Sequence, residues 1–307
     1  MTETAAEPGT AGTPTRCGFV ALVGRPNVGK STLLNALVGR KVSIVTSKPQ
    51  TTRHRILGVR TVGPVQAVYV DTPGLHTRAR RTLNKLMNKA ALGALEDVDV
   101  VVLVVEALRW TPEDDNVLRH LEGVRAPVIA AVNKIDRVKE KARLLPCLDE
   151  LSRRRELAEI VPVSALKGRQ VDVLERCILE RLPEGPHLFP PGTITDRDER
   201  FLAAELVREK LMAILGQELP YALAVEIEAF EREDGLLRIG AVIWVERESQ
   251  KPIVIGREGR VLKTAGTRAR REMELLFGEK VFLQLWVRVR EGWPSSRRAL
   301  RELGFEG

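Results

Sequence analysis

Residues 24–31 read GRPNVGKS, a G-x-x-x-x-G-K-S pattern set between an apolar run at 19–23 and a helical pattern at 32–37. Strand, loop and helix in that order is the setting in which a glycine-rich loop cradles phosphates. Gly24 and Gly29 let the backbone turn its N–H groups inward, and the helix start adds positive potential to the same concavity. Lys30 is expected to reach the β- and γ-phosphates, and the Ser31 hydroxyl to hold Mg2+. Arg25, Pro26, Asn27 and Val28 complete the cradle, with Thr32 behind Ser31.

Three further stretches could complete such a site. Asp71 ends the run 65–70 and opens Asp71-Thr72-Pro73-Gly74-Leu75. A carboxylate at a strand's carboxyl end beside a phosphate loop is where a Mg2+-linked Asp belongs, although these residues alone also fit a plain turn. Asn133-Lys134-Ile135-Asp136 ends the run 126–132. Asp136 can accept both Watson–Crick N–H donors of guanine while repelling the acceptor adenine carries there. Asn133 can reach the base's other edge, and the Lys134 stem can cover its face. Ser164-Ala165-Leu166 follows the run 160–163, with the Ala165 N–H a candidate donor to the guanine carbonyl.

A second chemistry is encoded near the C-terminus, at Gly256-Arg257-Glu258-Gly259, between the apolar Ile253-Val254-Ile255 and the cations Arg260, Lys263, Arg268, Arg270 and Arg271. A G-x-x-G loop at a helix start lets a nucleic-acid backbone approach closely, with the helix dipole and nearby cations facing its phosphates.

The elements that must position these residues are legible in outline. Apolar runs at 19–23, 59–62, 65–70, 98–105, 126–132 and 160–163 alternate with helical segments at 82–97, 113–122, 137–155 and 169–182. That order predicts a doubly wound, mostly parallel α/β sheet with the site at the carboxyl ends of its strands. Gly63-Pro64 marks a hairpin turn, and the polar, Pro-bearing stretch 40–57 reads as a long loop. The chain is expected to divide into a disordered tail (1–16), a nucleotide domain (17–183), a Pro/Gly-rich linker (184–196) and a smaller α+β domain (197–307). The last combines a helix at 197–215 with strands at 223–230, 236–245 and 281–289. Trp244, Trp286 and Trp293 are read as strand residues of core or rim, and Arg78, Arg80, Arg81 and 153–155 as solvated faces.

A length of 307 residues suits two domains, and a formal net charge of +8 favours a polyanionic partner. From Asp196 to Gly307 there are 20 basic and 20 acidic residues, so positive charge there must be local. Cys17, Cys147 and Cys177 offer no disulfide framework, and reduced cytosol is expected. Neither a signal-peptide pattern nor an apolar run of about 18 residues is found.

The motifs GRPNVGKS, TTRHR, DTPGL, NKID and SAL resemble a translation-factor-type GTPase. Leu86-Met87-Asn88-Lys89-Ala90, the stretch 105–112, Ile194-Thr195-Asp196-Arg197 and the C-terminal third resemble, more narrowly, the Era family of bacterial GTPases. The order α-β-β-α-β around the G-x-x-G loop resembles a KH domain of the bacterial type (type II), which clamps about four single-stranded nucleotides. The resemblance implies a P-loop GTPase, with Lys30, Thr52, Asn27 and Gly74 in catalytic roles and Ser31, Thr52 and Asp71 on Mg2+. Thr51 is the rival of Thr52. Leu75 stands where many GTPases carry a water-orienting Gln, and Asn27 implies a K+ ion beside the phosphates. His54 and His76 are read as solvated loop residues. Implied RNA contacts are Ile255 through Arg260, with Lys263 and Arg268. The implied role is a cytoplasmic, monomeric switch alternating between GTP and GDP, acting on the 3′ end of 16S ribosomal RNA and in small-subunit assembly. The alternatives are an RNA-binding scaffold with a structural nucleotide site, and a GTPase peripherally associated with the inner membrane.

Overall fold

The computed structural model describes residues 14–48, 51–74, 82–95, 97–216, 219 and 223–304. Of the expected tail at 1–16, residues 1–13 lie outside the described residues, as do Leu75, His76, Arg78, Arg80 and Arg81; its last residues are not tail, since Gly185 N donates to Thr15 O at 2.9 Å and Arg16 opens the first strand. Six strands form one sheet: β1 (Arg16–Val23), β2 (Ile56–Val62), β3 (Val65–Asp71), β4 (Val100–Glu106), β5 (Val128–Asn133) and β6 (Glu159–Pro162). Their spatial order is β2-β3-β1-β4-β5-β6; β2 runs antiparallel to β3, and the other pairs are parallel. Val- and Ala-rich runs such as VVVLVV in β4 are buried throughout because helices cover both faces. On one side, α1 (Lys30–Val38) and α5 (Val171–Leu179) build a core with Leu33, Leu34, Leu174 and Ile178. On the other, α3 (Pro112–Leu121) and α4 (Leu144–Arg154) contribute Val117, Leu121 and Leu151, beside Ala91 of α2 (Thr82–Gly93). Strands β3 and β4 flank β1 on opposite sides, which opens a crevice at its carboxyl end.

The stretch 137–155 is not one helix. Two 3-10 turns, Ile135–Arg137 and Lys141–Arg143, precede α4, and Lys141 Nζ donates to the Ile135 carbonyl at 2.7 Å.

A second sheet has the order β7-β8-β9: β7 (Leu223–Glu233) and β8 (Leu236–Val245) are antiparallel, β8 and β9 (Lys280–Val289) parallel. One face packs under α6 (Glu199–Ile214) and α8 (Arg260–Phe277), joining Leu206, Leu211, Ile239, Ile243, Ala265 and Met273 in one core. An additional short helix, α7 (Lys251–Ile255), lies ahead of the G-x-x-G loop, and α9 (Arg297–Glu302) follows the last strand. Trp293 is not on a strand. It sits in a 3-10 turn, fully buried against Leu83 and Met87 of α2 and Ala299 and Leu300 of α9.

The stretch 184–196 lies along the first sheet: Val59 N donates to Ile194 O at 2.9 Å and Leu57 N to Asp196 Oδ1 at 3.1 Å. His54 is not solvated. It meets Phe201 edge-on at 5.3 Å, and burial pushes its pKa down to about 4. Among the described residues, no helix is long and apolar enough to cross a membrane.

Candidate functional site

β1 delivers Gly24 and α1 begins at Lys30, so the loop spans strand to helix as its sequence requires. Gly29 holds φ 103°, and a Cβ there would stand 2.4 Å from Asn133 Nδ2; no other residue type fits without a shift. Lys30 Nζ donates to the carbonyls of Gly24 at 2.9 Å and Arg25 at 3.1 Å, inside the concavity. Burial lowers its pKa to about 8 against the opposing pull of Asp71. The Arg25 side chain braces the loop from beside it: Nη1 donates to Pro26 O at 3.4 Å, with Nε 3.0 Å from Asp114 Oδ2 and Nη2 2.9 Å from Glu106 Oε2.

Four oxygens converge beside Lys30. Ser31 Oγ donates to Asp71 Oδ2 at 2.8 Å and stands 2.8 Å from Thr52 Oγ1; the Thr52 and Ser43 hydroxyls reach the same Asp71 oxygen at 3.3 and 2.9 Å. Asp71 is fully buried, and its Oδ1 has no hydrogen-bond partner. Burial raises its pKa, partly countered by Lys30 and the three hydroxyls. One carboxylate with a spare oxygen, ringed by hydroxyls, is a donor set that fits Mg2+ shared with phosphate oxygens. Thr51 is not in this group: its hydroxyl bonds Thr46 Oγ1 at 2.6 Å and the Lys48 carbonyl at 2.7 Å. Thr72 Oγ1 donates to Leu22 O at 3.0 Å, Pro73 is buried, and Gly74 lies against Pro26, where a Cβ would meet its ring nitrogen at 2.9 Å.

At the base end, β5 terminates in Asn133, and Lys134 turns the chain with φ 67° into the 3-10 turn that carries Asp136. Ser164 Oγ donates to Asp136 Oδ1 at 2.5 Å, and that bond is the main cause holding the carboxyl below its usual range. Asn133 has a bracing task that its motif alone does not announce. Its Nδ2 donates to Val28 O at 2.9 Å and its Oδ1 accepts from Ala165 N at 3.0 Å, so it staples the phosphate loop to the Ser164-Ala165-Leu166 turn. The Leu166 side chain is exposed beside them. Lys134 Nζ bonds the Asn27 carbonyl at 2.7 Å and Glu106 Oε2 at 3.1 Å.

Glu106 and Asp114 were not singled out by sequence reasoning. Glu106 holds Arg25 of the phosphate loop and Lys134 of the base loop at once. Asp114 also caps α3 through the Thr111 backbone N–H at 2.9 Å. The one available signal was the acid in Val105-Glu106-Ala107 at a strand's carboxyl end. Asn35 of α1 is equally silent in sequence; its Oδ1 accepts the N–H groups of Val42 and Ser43 at 2.9 and 3.0 Å and so fixes the loop start.

In the second domain, Gly256 takes φ 76°, and a Cβ there would meet Val261 Cγ2 at 2.5 Å. Glu258 and Gly259 also hold positive φ, which brings the chain sharply into α8. Arg257, Lys263, Arg268 and Arg271 are exposed, with no ion pair among the described residues. Arg260 pairs with Glu258 at 3.1 Å, and Ile255 turns partly into the core.

Residues 19–134 match the family described as 50S ribosome-binding GTPase, and residues 218–294 match the KH domain. The GTPase Era of Pseudomonas aeruginosa strain LESB58 is 57% identical over 94% of this chain and 95% of its own length. That of Coxiella burnetii strain Dugway 5J108-111 is 53% identical over 95% and 99%. Two solved structures superpose with TM-score 0.92 at 42% identity, covering 95% of this chain and 100% of theirs. One is a variant of Aquifex aeolicus Era bound to GDP and aluminium fluoride; the other is an Era protein with MgGDPNP and nucleotides 1506–1542 of 16S ribosomal RNA. With identity this high along nearly the whole length, and with the phosphate cradle, base loop and G-x-x-G loop all in place, the chain belongs to the Era family of GTPases.

Proposed function

We propose that this GTPase is a switch that binds the 3′-terminal region of 16S ribosomal RNA through its second domain and serves small-subunit assembly. Bound Mg2+ would neutralise charge on the β- and γ-phosphates and be held by Ser31, Thr52 and Asp71. Lys30, close to the phosphates, adds a desolvated positive charge where charge develops in hydrolysis. Asp136, kept ionised by Ser164, selects guanine. Gly74 carries its backbone N–H next to the phosphate loop. The Asn27 side chain makes no hydrogen bond among the described residues, which leaves its oxygen for a K+ ion.

The observation that carries the RNA reading is a run of exposed cations with no ion pair among the described residues, from Arg257 in the Gly256–Gly259 loop along α8 to Arg271, in a domain with no net charge. The Era protein solved with 16S nucleotides, alike over 95% of this chain, supports the small-subunit assignment; the large subunit is named only in the description of the family matching 19–134. Titration of the 16S 3′ fragment against an unrelated RNA of equal length tests it. Gly256→Ala should weaken binding of the 3′ fragment about tenfold, leaving GDP affinity unchanged. Equal affinity for both RNAs would overturn the assignment.

A further inference from the structure

The described residues of the loop 41–55, all but 49 and 50, make contacts to two parts of the molecule. Ser43 and Thr52 point their hydroxyls at Asp71. The residues next to them are held from outside by α6. Lys41 Nζ contacts both Glu209 oxygens at 2.8 and 2.7 Å, and Val45 N donates to Glu209 Oε1 at 2.9 Å. Arg208 Nη2 donates to the Thr51 carbonyl at 2.5 Å. Arg53 Nη1 donates to Leu223 O at 2.7 Å, and Lys48 bonds the Leu215 carbonyl. Arg208, Glu209 and Glu205 are all buried, and Glu205 grips Arg208 at 2.7 and 2.6 Å.

Buried charges contribute little net stability once their desolvation is counted, so this cluster calls for another reason. Its effect is geometric. Thr51 and Thr52 are consecutive, one with its carbonyl fixed by Arg208 and the other with its hydroxyl in the oxygen cluster. We propose that Arg208 and Glu209, from the second domain, are positioning residues for GTP hydrolysis: they hold the loop so that Thr52 and Ser43 are presented to Asp71 and the metal. The nucleotide domain holds this loop through Asn35 at Val42 and Ser43 and through the hydroxyl bonds of Ser43 and Thr52 to Ser31 and Asp71; among the described residues, the Thr51 carbonyl just before Thr52 is fixed from α6. Glu272 of α8, the helix that begins at the G-x-x-G loop, also pairs with Lys41, so the same clamp touches the helix proposed to meet RNA.

The inference rests on the GTPase reading of the site, and wild-type turnover measured in parallel tests that reading separately. In the full chain, Glu209→Gln keeps the acceptor for Val45 but loses the charge for Lys41. The pair Glu205→Gln with Arg208→Met removes two buried partners together, leaving no lone charge. Lys41→Met breaks the clamp from the loop side should an α6 variant not fold. Fluorescence titration gives affinities for GDP and for a non-hydrolysable GTP analogue; turnover against Mg2+ concentration gives the half-saturating metal. With melting temperatures near wild type, analogue affinity should fall about tenfold, the loss of one charge-assisted hydrogen bond, with GDP affinity unchanged and half-saturating Mg2+ raised. A purely structural role moves both nucleotides alike. Equal losses for GDP and analogue, or no change in either, would overturn the proposal.

Discussion

Replacing Glu106 by Gln should weaken GDP and GTP alike. Glu106 Oε2 lies 2.9 Å from Arg25 Nη2 and 3.1 Å from Lys134 Nζ. Gln retains an acceptor, so each contact loses only the difference between a charge-assisted and a neutral hydrogen bond, about 1 kcal/mol. Arg25 keeps Asp114 and Lys134 keeps the Asn27 carbonyl, so neither side chain is released. Two contacts give about 2 kcal/mol, at most roughly a thirtyfold rise in Kd if all of it reaches nucleotide binding. Both nucleotides should weaken by the same factor, because Glu106 braces the phosphate loop and the base loop rather than the side where Thr52 stands. That pattern is the reverse of the one expected for Glu209→Gln. The pH dependence follows from the carboxyl's position. Burial raises its pKa, but bonds from Arg25 and Lys134 outweigh burial and hold it below the usual 4.5. A depressed carboxyl stabilises the fold above its unfolded value and loses that contribution as pH falls through the folded one. Wild-type stability should therefore carry a component lost as pH falls below about 4.5 that the Gln variant lacks. Fluorescent GDP and analogue titrations at neutral pH measure the first effect, and melting temperatures between neutral and acid pH the second. Unchanged affinity, or a loss confined to the triphosphate, would refute the bracing role.

Asp136→Asn replaces the acceptor that Ser164 holds, so GTP affinity should fall about a hundredfold and xanthosine nucleotides should gain; competition binding with both nucleotides decides it. Trp293→Ala empties a fully buried site between α2 and α9 and should cost about 3–5 kcal/mol, seen as a lower melting temperature by calorimetry. An unchanged melt would mean this cluster does not contribute to cohesion. GTP turnover should be faster in potassium than in sodium buffer at equal ionic strength if Asn27 supports K+; equal rates would remove that role from Asn27.

The parts of the site legible in sequence are those in which local backbone geometry dictates residue type. Gly29 must be glycine because of φ 103° and the Asn133 amide beside it, and Asp71 stands level with Leu22 because β3 pairs with β1. What sequence hid are contacts between residues far apart in the chain that no spacing rule joins. Arg25 reads only as one residue of the cradle, and nothing in its spacing points to the Glu106 and Asp114 that the fold places beside its guanidinium. His54 looks like a solvated loop residue until α6 brings Phe201 against it. Trp293 reads as a strand aromatic until α2 covers it. The charge count of the second domain conceals a similar separation. Its 20 basic and 20 acidic residues cancel on paper, yet Glu205, Glu209 and Glu272 meet cations at the interior junction with the first domain. Arg257 in the G-x-x-G loop and Lys263, Arg268 and Arg271 along α8 are exposed and form no ion pair among the described residues. The acids at the nucleotide loop are matched by cations of both domains, while the exposed cations are left for the RNA phosphates proposed above. On that basis, raising salt should weaken RNA binding far more than it weakens the buried clamp on loop 41–55.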